Sequence, residues 1–218
     1  MSGLQLVIGN KNYSSWSMRP WLAMTQAGIK FQEVFVQLDT PKFLREIRKH
    51  SGAARVPVLH HGDLTIWDSL AILEYVADVY PAKNLWPKNR NARAQARSAC
   101  AEMHAGFQAL RNACPMNLRR PARAVPMNDA IKNDIARIET IWRACRKHYG
   151  KGGPFLFGKF SNADAMYAPA VTRFETYAIP VAKDTRCYMD AILSLPSFKT
   201  WKDAALKETW VIPDDEVD

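Results

Sequence analysis

Apolar positions along the chain follow two different rhythms. Up to Tyr80, short apolar runs of strand length alternate with stretches at helical spacing; beyond Pro81 the helical spacing takes over. Leu4 to Ile8 is an apolar run ended by Gly9-Asn10, and Gln32 to Val36 is a second run with β-branched and aromatic residues, so both read as strands. Between them Trp21, Leu22, Ala23, Met24 and Ala27 keep a helical period until Gly28 stops it. Strand, helix, strand in that order implies a parallel pair with a right-handed crossover. Lys42 to His50 reads as a second helix. Pro57 to His60 and Leu64 to Trp67 flank the turn His61-Gly62-Asp63 and form an expected antiparallel hairpin. Ser69 to Tyr80 is a third helix, with Leu70, Leu73, Val76 and Ala77 on one stripe.

The first unit is therefore βαβαββα, an α+β domain over residues 1–80. Residues 81–88 form a linker, and residues 89–218 read as an all-α helical-bundle domain. Its expected helices are Arg90 to Asn112 as one long element, Asp129 to Tyr149, Asn162 to Tyr177, Thr185 to Ser194 and Ser197 to Glu208. The acidic tail Asp214 to Asp218 is expected to fray.

Composition narrows the class. A chain of 218 residues with 48% hydrophobic content can bury a substantial core. It has no apolar run of bilayer length and no signal-peptide pattern at its start, so no membrane partner is expected and the cytoplasm is the expected location. Cys100, Cys114, Cys145 and Cys187 form no C-x-x-C pair and have no histidine at metal spacing; they read as reduced packing residues, with no metal. A formal charge of +9 favours anionic partners. Arg90, Arg93 and Arg97 share a helical face, but neither interleaved aromatics nor a recognition motif accompanies them, so nucleic acid is not expected.

Four short motifs carry candidate chemistry. Tyr13-Ser14-Ser15-Trp16-Ser17-Met18-Arg19-Pro20 opens the first helix, with Pro20 pointing to a start near Ser17. Its hydroxyls can serve as caps, or can favour a thiolate brought to the helix N-terminus. Arg55-Val56-Pro57-Val58-Leu59 starts a strand on a proline, which leaves the backbone of Val56 free to pair with a bound peptide. Trp67-Asp68-Ser69 lies at a strand-to-helix junction, where either polar residue can cap. There a hydroxyl, a helix N-terminus and a carboxylate also suit an amino-acid head group. Ser161-Asn162-Ala163-Asp164 has capping-box spacing, a structural role.

In their order and spacing these motifs resemble the soluble glutathione transferases over nearly the whole chain. Ser14-Ser15-Trp16-Ser17-Met18-Arg19 is similar to the serine motif of the zeta-type members, the maleylacetoacetate isomerases, with Trp16 where those have cysteine. The resemblance implies a thioredoxin-like first domain and glutathione as co-substrate. It implies a cis Val56-Pro57 bond pairing with the cysteinyl backbone, and Asp68-Ser69 at the γ-glutamyl end. Lys42, with Arg45 and Arg48 as alternatives, would face the glycine carboxylate. Ser14 would be the thiol-activating residue and Ser15 its competitor. The small electrophile would meet Trp16 and residues of the long helix, Met103, Phe107, Leu110 and Arg111, for which core packing and a solvated basic face are the plain readings. Arg119 and Arg120 also read as solvated, and His104 has no visible partner. A homodimer is implied as well. The other class of function is a glutathione-transferase-like module without catalysis that binds a ligand or partner.

Overall fold

The computed structural model describes residues 3–217. β1 (Leu4–Ile8), α1 (Ser15–Gln26), β2 (Phe31–Phe35), α2 (Phe43–Arg48), β3 (Val58–His61), β4 (Leu64–Trp67) and α3 (Ser69–Val79) make the first unit. They build a four-stranded sheet in the order β2-β1-β3-β4. β1 runs parallel to β2, with Leu6 opposite Glu33, and antiparallel to β3, with Leu6 opposite Leu59. The thioredoxin-like reading holds. Strand alternation decides the two faces. Leu4, Leu6 and Ile8 point into the main core with α1 and α3, whereas Val7 joins Val36, Val58 and Ile47 of α2 in a small second core.

The second unit contains α4 (Arg90–Ala105), α5 (Gln108–Ala113), α6 (Asp129–Tyr149), α7 (Asn162–Thr176), α8 (Lys183–Leu193) and α9 (Pro196–Leu206). α7 is buried nearly all round and packs against both α1 and α4, so it joins the two units through one continuous core. Asp164 anchors its start. The carboxylate accepts from Leu156 N at 3.0 Å, Ser161 N at 2.8 Å and Ser161 Oγ at 3.0 Å.

The expected single helix from Arg90 to Asn112 is two helices. Gly106 ends α4, its N–H reaching Glu102 O at 2.8 Å, and a Cβ there would lie 2.9 Å from that same oxygen. Phe107 then takes a left-handed φ of 61° before α5 restarts. Apolar periodicity continues across this break, which hid it. The tail also differs from expectation. The Tyr13 hydroxyl pairs with the Glu216 carboxylate, Arg119 Nη2 donates to Tyr13 Oη at 2.7 Å, and Arg120 Nε donates to Val217 O at 2.7 Å. Arg119 and Arg120 are thus occupied by the acidic tail rather than solvated. Asp218 lies outside the described residues. Cys100, Cys114 and Cys145 are buried, but Cys187, expected to pack, is exposed.

Candidate active site

Short polar elements at the edge of the main core create the site. Helix α1 starts at Ser15, two residues before the expected start, because Ser14 is the cap: its Oγ accepts from Ser17 N at 3.3 Å and donates to Ser17 Oγ at 2.7 Å. Ser17 Oγ in turn accepts from Gly9 N at 3.1 Å, tying the helix start to the end of β1. The Ser14 proton is thereby used within the chain. Ser15 Oγ instead accepts from Arg173 Nη2 of α7 at 3.5 Å.

The Val56-Pro57 bond is cis. Asp68 caps α3, with Oδ1 accepting from Leu70 N at 2.8 Å, and holds a φ of 75°. Its other oxygen lies 3.3 Å from His104 Nε2 of α4. Ser69 is buried, and its Oγ accepts from Arg19 Nη1 at 3.4 Å.

These pieces surround one cavity of about 500 Å³, lined by Trp16, Ala53, Arg55, Val56, Pro57, Trp67, Asp68, Ser69 and His104. Among the residues singled out from sequence, Trp16, Arg55, Val56, Pro57, Asp68 and Ser69 therefore converge. Ser14 and Ser15 are buried beside it in the chain without lining it, and Lys42 is an exposed residue at the start of α2, away from the lining. Met103, Phe107 and Leu110 pack in the main core instead of the cavity. Ala53, Trp67 and His104 were missed as site residues. His104 has a partner after all: besides Asp68 it meets the Trp16 ring edge-on at 5.2 Å. No local signal marks it, since its neighbours come from two other elements.

Trp16 is approached by two cations. The Arg19 guanidinium sits 4.1 Å and that of Arg111 4.4 Å from its ring centroid, close enough for attraction to the indole quadrupole. Burial, reinforced by repulsion from Arg111 and Arg173, pulls the Arg19 pKa down to about 9. Burial and Arg111 pull Arg173 down to about 10. Burial lowers Arg111 as well. Arg19 and Arg173 still carry their charge at neutral pH.

Residues 13–79 match the model of the glutathione S-transferase N-terminal domain, and residues 128–204 that of the C-terminal domain. A maleylacetoacetate isomerase of Mus musculus is 31% identical over 173 residues, covering 78% of each chain. Glutathione S-transferase Z1 of Arabidopsis thaliana is 25% identical over 203 residues, covering 87% of this chain and 89% of its own. Among solved structures, a glutathione transferase homolog from Burkholderia gl BGR1 with bound glutathione superposes with a TM-score of 0.70 at 23% identity, covering 94% of this chain and 98% of that one. The chain belongs to the glutathione S-transferase family, on its zeta-like side. Among the described residues no helix is long and apolar enough to cross a membrane, and no group of three His, Cys, Asp or Glu side chains gathers.

Proposed function

We propose that the protein is a glutathione-dependent transferase or isomerase that binds the tripeptide in the cavity between Trp16, Val56-Pro57 and the start of α3. The observation that carries this reading is the convergence of Arg55, Val56, Pro57, Asp68 and Ser69, from separate stretches of chain, on that one cavity. Each suits a different part of one ligand. The Asp68 carboxylate takes the γ-glutamyl ammonium, and Ser69 with the start of α3 takes the α-carboxylate. Val56 offers its backbone to the cysteinyl unit. Arg55, a cavity-lining cation, takes over the role first given to Lys42 at the glycine carboxylate. The sulfur then lies toward the first turn of α1, where the helix N-terminus and a serine hydroxyl favour the thiolate.

The activated thiolate attacks a small electrophile in conjugation, or adds to it reversibly in isomerisation. The relatives named maleylacetoacetate isomerase support the second course. Trp16 beside the sulfur makes the electrophile pocket narrower than one built around cysteine. Family membership supports a cytoplasmic homodimer with a role in detoxification.

Saturating glutathione tests the reading. At 100 times its Kd, glutathione stabilises the protein by about 2.7 kcal/mol. For a chain of this size that raises Tm by roughly 5–10 °C. An unchanged Tm together with no retention on immobilised glutathione overturns it.

A further inference from the structure

Asp68 has one oxygen to spare. Its Oδ1 accepts from Leu70 N at 2.8 Å as the cap of α3, so Oδ2 is the oxygen left for the ammonium of a ligand. Oδ2 lies 3.3 Å from His104 Nε2, and both side chains are partly open, at 45% for Asp68 and 29% for His104. Both line the cavity. An ammonium that reaches Oδ2 therefore arrives beside an imidazole, and histidine is the side chain whose charge ordinarily changes between about pH 5 and 8. A ligand cation and a titrating ring thus meet at a single oxygen.

The other groups around His104 are mostly cations. From α1, the Trp16 ring meets it edge-on at 5.2 Å, and that ring already carries the Arg19 and Arg111 guanidiniums at 4.1 Å and 4.4 Å. From α5, Arg111 Nη1 donates to the His104 carbonyl at 3.3 Å. Arg55 lines the cavity, and Asp68 is the one acid among the lining residues. Behind Trp16, the charges of Asp68 and Arg173 act on Arg19, and Asp215 acts on Arg173. The remaining acids nearby are engaged. Glu102 of α4 accepts from Arg137 of α6 at 2.6 Å and 2.8 Å, and Glu74 of α3 accepts from Arg97 at 2.9 Å and 2.8 Å. Burial holds the Cys100 thiol well above its ordinary range, so it is uncharged at neutral pH. His104 Nδ1 is buried without a partner among the described residues, which leaves Asp68 as the group that compensates a charge on this ring.

We propose that His104 is a positioning residue for glutathione that acts through Asp68: the neutral ring leaves Oδ2 to the γ-glutamyl ammonium, whereas the imidazolium takes that oxygen and repels the ammonium. The inference rests on glutathione being the ligand of this cavity, with its γ-glutamyl end at Asp68. Two cations on one carboxylate oxygen, with no second acid lining the cavity, each weaken the hold on the other. The sign follows from linkage. Because the bound state disfavours the proton on His104, glutathione binds more tightly as the pH rises, and binding releases a proton from the ring.

The test is calorimetric titration of the full chain with S-methylglutathione from pH 5.5 to pH 8. This ligand has no thiol to ionise and keeps its ammonium and carboxylates charged throughout. In the wild type Kd falls about tenfold over this range, equivalent to a coupling of one pKa unit. Titrations in buffers of different ionisation enthalpy show the proton released near the midpoint. His104→Gln, neutral at every pH, binds at the tight level throughout and releases no proton. His104→Lys, charged at every pH, binds at the weak level throughout, so either variant alone keeps the proposal testable if the other does not fold. An analogue of the ligand with hydrogen in place of the ammonium gains no affinity as the pH rises. A flat wild-type profile, a slope that persists in His104→Gln or with the deaminated analogue, or an affinity that rises as the pH falls overturns the proposal. Absence of S-methylglutathione binding in the wild type at every pH is a separate result and strikes the functional reading itself.

Discussion

Replacing Asp164 with alanine lowers stability by roughly 3–5 kcal/mol, because Leu156 N, Ser161 N and Ser161 Oγ are left buried without an acceptor. The effect is large because α7 lies between the two units, so that loosening its first turn loosens the core against α1 and α4. The same carboxylate gives stability a pH dependence. Burial raises its pKa from 3.8 to about 6 despite the bonds it accepts. A folded-state pKa above the unfolded value means that the native chain binds more protons between these limits. The contribution is therefore complete below pH 3.8 and is lost as the pH rises through about 6, by on the order of 3 kcal/mol in total. Denaturant titrations from pH 4 to pH 8 should show this decline in the wild type and its absence in Asp164→Ala. The cost of the substitution consequently narrows toward neutral pH. A variant whose midpoint matches wild type at pH 4 would remove the structural role given to this group.

The second large effect concerns affinity. Asp68→Asn keeps an oxygen to cap Leu70 N, and asparagine caps a helix about as well as aspartate, so Tm stays close to wild type. The exposed pair with His104 contributes little to stability. The charge that would meet the γ-glutamyl ammonium is gone, and a hydrogen bond to a charged group contributes about 1.5–3 kcal/mol. Glutathione Kd accordingly rises about 10- to 100-fold, measured by calorimetry. Asp68→Ala adds a loss of about 1 kcal/mol in stability from the missing cap. An unaltered Kd in Asp68→Asn would move the ammonium away from this carboxylate and reopen the orientation of the ligand.

Trp16, Asp68 and His104 show how far a linear reading reaches. Asp68 was readable because a capping residue and a ligand-binding residue occupy the same kind of place, the start of a helix just after a strand. Trp16 was readable as a departure from a serine-type motif, but its meaning was not, since one of the two cations on its ring, Arg111, comes from α5. His104 offered nothing locally. Its partner Asp68 is 36 positions earlier in the sequence and reaches it only across the contact between α3 and α4. The assignment of Met103, Phe107 and Leu110 shows the converse failure. Helical spacing marks an apolar stripe without saying whether the stripe meets a neighbour or a cavity, and here it meets the core.

What the sequence by itself determined was the local chemistry: the two rhythms of apolar residues, the caps at Asp68 and Ser161, and the βαβαββα order that narrows the sheet topology to a few. These depend on neighbours within a few residues. Tertiary structure alone decided where the charges end up. Arg119 meets the Glu216 carboxylate of the returning tail at 3.9 Å and Arg120 donates to the Val217 carbonyl, whereas Arg19, Arg111 and Arg173 are buried or half-buried and have no ion pair with a carboxylate among the described residues. Both sets read alike as basic residues along the chain. Their difference comes from burial and long-range pairing, which set the electrostatic energy of a charge and have no signature in local sequence.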